Sequence, residues 1–163
     1  MAAEYSANAL QTVEATAPVI FTESPVRCNR GLVFHRDESG IFQLANNAPV
    51  SNGRCGCGCN GCRNIYETLY RVSFHANIAL PADGEVEEIQ LSISIGGEPD
   101  PSSTMRVTPA AVEEFQNVGA EIYVAVPSLC GCVSVSVRNT STQAIDVQNA
   151  NITFDYAGIR RVV

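Results

Sequence analysis

Four of the chain's seven cysteines fall within eight positions, "CGCGCNGC" at residues 55–62, with glycines between them. Thiolates are favoured ligands of zinc and iron, and a C-x2-C pair such as Cys59-Asn60-Gly61-Cys62 lets two sulfurs reach one tetrahedral ion. Cys55-Gly56-Cys57 is closer spaced, and its glycine lets the backbone wrap tightly. Cys55, Cys57, Cys59 and Cys62 are therefore candidate ligands of a structural zinc or iron ion. The same spacing suits disulfides that staple a loop or neighbouring subunits. Unpaired thiols on a flexible tip are the plain alternative. Seven is an odd number, so at least one thiol is free, metal-bound or paired to another chain.

Other chemistry-bearing residues are sparse. The two histidines are His35, in "HRDESG", and His75, in "YRVSFHANIAL". His75 falls on the polar face of an alternating run, where a solvated or interface role is expected. His35 sits beside Arg36, Asp37 and Glu38, which read as an exposed hairpin tip. Adjacent carboxylates in a turn point apart, so Asp37 and Glu38 are expected to be solvated rather than catalytic. No G-x-S-x-G, H-E-x-x-H or phosphate-binding glycine loop occurs. No catalytic residue is assigned, and the expected protein is not an enzyme.

The elements that must carry these residues follow from composition and period. A chain of 163 residues with 45% hydrophobic and 17% charged residues has the size and content of one folded domain. A net charge of −7, with ten scattered basic residues, gives no footprint for nucleic acid or an anionic membrane. No apolar run approaches the roughly 20 residues that span a bilayer. "MAAEYSANALQTVEATAP" has neither a basic start nor the apolar core of a secretory signal, so synthesis in a reducing cytoplasm is expected.

Strict alternation of apolar and polar residues marks half-buried strands, because successive side chains point to opposite faces. In "YRVSFHANIAL" the inner set is Tyr70, Val72, Phe74, Ala76, Ile78 and Leu80. Ile89, Leu91, Ile93 and Ile95 repeat the pattern, as do Val133, Val135 and Val137, then Ile122, Val124 and Val126, then Ile152, Phe154 and Tyr156. "LVFHR" and "GIFQLA" read as shorter strands, and "ALQTVEATAPVIF" as a longer one interrupted near Pro18. Turn signals at residues 37–40, 81–84, 96–101, 127–131 and 139–143 separate them. Many short strands between such turns predict an all-β antiparallel sandwich or barrel. "TPAAVEEF", with Thr108 as cap and Pro109 in the first turn, is the one helix candidate, with a single turn or loop as the alternative.

The order "ALQTVEATAPVIFTESP", "GLVFHRDESGIFQLAN", "YRVSFHANIAL", "IQLSISIGGEPDPSSTMRV", "IYVAVPSLCGCVSVSVRNTST", "VQNANITFDYAGI" resembles the tumour-necrosis-factor/complement-type jelly roll. The nearest likeness is to the C-terminal head of collagen-like glycoproteins on bacterial spore surfaces. The resemblance covers roughly residues 8 to 158. It implies an antiparallel jelly-roll sandwich forming a homotrimer, one sheet of each subunit facing the threefold axis near Tyr123 and Tyr156, with a structural or ligand-binding role. It also implies that Cys28 lies at the same end of the barrel as residues 55–62, as a fifth candidate ligand, with Cys130 and Cys132 at the opposite end near both termini.

Two features depart from the family: no G-X-Y stalk is present, and a cysteine-rich loop at about 46–66 precedes the "YRVSF" strand. Stand-alone heads of this kind resemble accessory proteins of bacteriophage virions, which decorate a capsid or tip a fibre. The organisation expected is an N-terminal arm at 1–8, disordered unless a partner holds it, one jelly-roll domain at 9–158, and a tail at 159–163. Expected partners are the chain itself and a capsid or other particle-surface protein, on a virion or, alternatively, on a spore or cell surface. A host receptor or glycan is the remaining alternative.

Overall fold

In the computed structural model, which describes residues 2–28, 31–36, 38–48, 65–128 and 132–162, the alternating runs become strands of two antiparallel sheets. In chain order the strands are β1 (Ala2–Ala7), β2 (Gln11–Val13), β3 (Glu23–Val26), β4 (Val33–His35), β5 (Phe42–Ala45) and β6 (Ile65–Ala79). They continue as β7 (Ile89–Ile95), β8 (Glu98–Pro99), β9 (Met105–Val107), β10 (Gln116–Pro127), β11 (Cys132–Asn139) and β12 (Ile145–Val162). The first sheet has the order β10-β6-β12-β1-β3, with β2 also pairing with β12. The second has the order β4-β5-β11-β7-β8, with β9 also pairing with β7. Sequence neighbours are mostly not sheet neighbours, which is the jelly-roll arrangement. Among the described residues no helix is long and apolar enough to cross a membrane.

The core lies between the sheets and is built from the inner sets expected from alternation. Tyr70, Val72, Phe74, Ala76, Ile78 and Leu80 are buried, as are Ile89, Leu91 and Ile93, Val135 and Val137, Ile122, Val124 and Val126, and Ile152 and Phe154. Each large side chain so enclosed contributes about 1.5–3 kcal/mol. Tyr5, Phe21, Phe42 and Phe154 form an aromatic knot, with Phe42–Phe154 centroids 4.9 Å apart and Phe21–Phe42 centroids 5.2 Å apart. Offset and edge contacts of this kind suit the ring quadrupoles.

Two expectations are corrected. The segment expected as an arm at 1–8 contains β1, inserted between β12 and β3, with Ala2 opposite Asp155 and Ala7 opposite Ala150. Ala3, Tyr5 and Ala7 are its buried face. Small alanines carry little hydrophobic signal, but they let a strand pack closely, and β12 supplies the backbone hydrogen bonds. The tail expected at 159–163 is likewise strand as far as Val162, which pairs with Ile65. Its continuation follows from the length of β6, which runs from Ile65 and offers a ladder to pair with. In "TPAAVEEF" the turn-or-loop alternative holds: the chain turns at Glu113, whose N–H donates to Leu80 O at 2.8 Å. The short 3-10 turn lies instead at Pro101–Ser103, capped by the Asp100 carboxylate.

Candidate functional site

The direction of β6 decides where the cysteine-bearing loops meet. β6 enters at the end where the cysteine-rich insertion joins it, runs away to Ala79, and β10 returns antiparallel, placing Pro127 opposite Glu67. The β10–β11 connection therefore emerges at that same end, with Ser128 N donating to Tyr66 O at 2.9 Å. β11 then starts with Cys132 opposite Ala45, the last residue of β5 before the insertion. Cys132 thus lies at the insertion end, not the opposite end expected for it. The reason is the antiparallel return of β10, which carries the β10–β11 connection back to the start of β6. Both strand termini, Ala2 and Val162, are on this side too, through pairing with Asp155 and Ile65.

Cys28, half-buried, packs against the core at this end. Beside it, the Tyr70 hydroxyl donates to Ala45 O at 2.6 Å. Burial, then the neighbouring Cys28 and Tyr156, pushes this phenol up to about 12. Where the insertion departs, Thr68 Oγ1 donates to Asn46 Oδ1 (2.7 Å) and accepts from Asn47 N (2.8 Å), while Asn46 Oδ1 also accepts from Ala48 N (2.9 Å). A buried threonine and an asparagine-centred turn so fix the chain at the point of departure. Cys55, Cys57, Cys59 and Cys62 lie outside the described residues, as do Asp37 and Cys130. Among the described residues no group of three or more His, Cys, Asp or Glu side chains converges on one point.

His35 differs from the solvated tip expected of it. Its ring stacks on Phe42, centroids 4.4 Å apart at 19°, and lies 4.9 Å from Tyr5. Nε2 donates to Ser39 O at 2.8 Å, and Nδ1 is buried with no hydrogen-bond partner among the described residues. This is a side chain that closes a hairpin and extends the aromatic knot. A signal existed in the sequence: His35 shares the inward parity of Val33. His75 is exposed on the outer face of β6, as expected.

The outer face of the first sheet is a lattice of polar contacts. Arg71 Nη2 donates to Asp155 Oδ2 at 2.7 Å, with Glu121 4.0 Å from Nε. Ser73 Oγ donates to Glu121 (2.8 Å) and Asn151 Nδ2 to Glu4 (2.7 Å). The hydrogen bond to Asp155, then the charge of Glu121, holds the Arg71 guanidinium above its ordinary value. Tyr123, opposite Arg71 in register, stands 64% exposed on this face. With Arg71, Asp155, Tyr156 and Ala157 it lines a shallow concavity of about 360 Å³. Tyr156 turns edge-on to Tyr70, centroids 6.4 Å apart. Both tyrosines line the concavity, but Tyr123 belongs to the outer face, whereas Tyr156 pairs in register with the buried Tyr70.

No protein-family profile matches the chain, and no curated protein sequence matches it. Among solved structures it is similar to the globular domain of zebrafish complement 1qA protein, with 11% identity, 96% of each chain covered and a TM-score of 0.62. Two looser likenesses are the C-terminal domain of EclA, a sugar-binding protein (12% identity, 73% of this chain and 81% of that one, TM-score 0.34), and a family 35 carbohydrate-binding module from Clostridium thermocellum (12% identity, 93% and 97%, TM-score 0.36). The last two superpose too loosely to carry an argument, and at 11% identity the first speaks for the fold alone. The chain has the all-β jelly-roll fold of the complement 1q and tumour-necrosis-factor type.

Proposed function

We propose that the chain is a non-enzymatic structural module that assembles as a homotrimer through the outer face of the first sheet and is displayed on the surface of a larger particle. The observation that carries this reading is Tyr123, an aromatic left 64% exposed on the edge strand β10 beside the hydrogen-bonded cluster of Arg71, Asp155 and Glu121. Interfaces are anchored by such aromatics, ringed by polar contacts that exclude water. Closed rotational symmetry then buries the same face on every subunit. The particle is a bacteriophage virion, with the chain as capsid decoration or head-fibre protein. This step rests on the strand-order resemblance. A spore-coat or surface-layer component is the alternative, and genome neighbours distinguish the two.

At the insertion end, Cys55, Cys57, Cys59 and Cys62 together with Cys28 form a cap, held by a zinc or iron ion or by disulfides. Ordering inserted residues costs about 1–2 kcal/mol each in backbone entropy, and a glycine-rich stretch has little apolar area to offset it. Cys28 and the exposed Cys132 both reach the end where that segment joins, which supports a thiol-rich cap. Metal analysis by mass spectrometry beside thiol titration separates the chemistries. Light scattering of the purified chain at micromolar concentration tests the assembly: three chain masses are expected, and a monomer rejects the proposal.

A further inference from the structure

The β4–β5 hairpin carries a feature that a structural role does not use. Phe34 lies opposite Gln43, and both point outward, since Val33, Phe42 and Leu44 point into the core. Arg36 and Ile41 follow on the same outer face, and with Ser39 these residues line a concavity of about 250 Å³. Phe34 is 59% exposed and Ile41 45% exposed. β4 is an edge strand, where an outward aromatic is a liability unless something covers it.

The hairpin is locked from behind. Besides the His35 bond to Ser39 O, Ser39 N donates to Arg36 O (3.1 Å), Ser39 Oγ accepts from Ile41 N (3.0 Å) and Phe21 N donates to Ser39 O (3.2 Å). Gly40 packs so closely on Pro18 and Val19 that a Cβ there would lie 2.6 Å from Val19 O. Outward side chains on so fixed a backbone are preorganised, which lowers the ordering cost of binding.

Charge points to the occupant. Arg71, Arg106 and Arg160 each have a carboxylate partner; Arg36, like Arg27, Arg138 and Arg161, forms no ion pair with a described residue, and neither does Glu38 at the hairpin tip, but of these arginines Arg36 is the one beside an exposed aromatic in a concavity. An exposed aromatic face beside a guanidinium with no carboxylate partner among the described residues, and an amide, is the set that a sugar ring with a carboxylate needs. The ring's C–H face lies on Phe34, its carboxylate pairs with Arg36, and Gln43 meets its hydroxyls. The concavity is smaller than the roughly 300–1,000 Å³ of drug-sized sites, which matches one ring rather than an extended chain. We propose that the outer face of the β4–β5 hairpin binds a single carboxylated sugar residue of the uronic-acid type. This goes beyond the structural role and depends on neither the trimer nor the particle.

The test is a titration of the isotopically labelled full chain, followed by amide chemical shifts, with methyl glucuronide, methyl glucoside and acetate as probes. Glucuronide is expected to shift Phe34, Arg36, Ile41 and Gln43 with millimolar affinity, glucoside to bind about tenfold more weakly, and acetate not to saturate, a tenfold step being about 1.4 kcal/mol. Arg36→Gln should bring glucuronide down to the glucoside level, and Phe34→Ala should abolish both. These side chains are outside the core, so circular dichroism should stay native. Absence of shifts at the hairpin, equal affinity for the two sugars, acetate binding as well as glucuronide, or undiminished binding by Phe34→Ala each overturns the proposal.

Discussion

On the first sheet's outer face Arg71 is gripped by Asp155 and Glu121, and Glu4 by Asn151. On the second sheet's outer face Arg36 has no described carboxylate partner, and Phe34 stands beside it in water. Both faces are pleated antiparallel sheet over one shared core, so the backbone does not make the difference. Partnering of charge does. A face whose donors and acceptors already satisfy each other offers a partner shape and a few anchors, which suits a second copy of the same chain. A face with an unsatisfied cation and an uncovered ring offers chemistry, which suits a small ligand.

The sharpest way to break this contrast is to attack each anchor and read the other face. Tyr123→Glu places a charge on the proposed contact at the β10 side of the first face and is expected to convert the trimer to monomer by light scattering. The same protein should still bind glucuronide at the hairpin. Loss of mass in the Phe34→Ala protein instead would reverse the assignment of the two faces.

Next in size is Tyr70→Phe, beneath the first face at the insertion end. Removing the hydroxyl leaves Ala45 O without its 2.6 Å donor, a loss of about 1–3 kcal/mol. Because the folded phenol is raised from 10.0 to about 12, its proton is retained in the folded state while the unfolded chain loses it. The stability it contributes is full below pH 10 and is lost as pH rises to about 12. Thermal melts across that window should show the decline in the native protein and a flatter profile in Tyr70→Phe.

Replacing Cys55, Cys57, Cys59 and Cys62 together by serine removes the cap without touching either face. A melting temperature lowered by several degrees is expected, at roughly 2–4 °C per kcal/mol for a chain of this size, with trimer mass and β-rich circular dichroism unchanged. An unaltered melt, with all thiols freely titratable in the folded protein, means that no cap exists. Smallest is Arg71→Ala: although its bond to Asp155 is 2.7 Å, the pair is solvent-accessible and screened, so the melt should barely change. A larger effect on trimer dissociation than on unfolding would place the pair at the subunit interface.

The sequence by itself determined which residues form strands and which side of each strand enters the core. Alternation is a local property, and Tyr70 through Leu80, Ile89 through Ile93 and Ile122 through Val126 obey it because one sheet face must be dry. The same parity would have turned His35 inward, had the carboxylates beside it not suggested a solvated tip. Where alternation was written in small residues, as at Ala3, Tyr5 and Ala7, the hydrophobic signal was too weak to distinguish a strand from an arm. Only β12 lying alongside made it one.

Tertiary structure alone decided which ends and faces the chemistry shares. Cys28, Cys132 and the departure point of the insertion come together because β6 and β10 traverse the sandwich in opposite directions, a matter of crossover that no local period encodes. Phe34, Arg36, Ile41 and Gln43 become one surface only when β4 and β5 pair in the register that sets Phe34 against Gln43. A shift of one residue would turn those side chains to the other face. Register is held by the His35–Phe42 stack and by Gly40 against Val19, contacts between residues whose types are visible in the sequence but whose proximity is created by the fold.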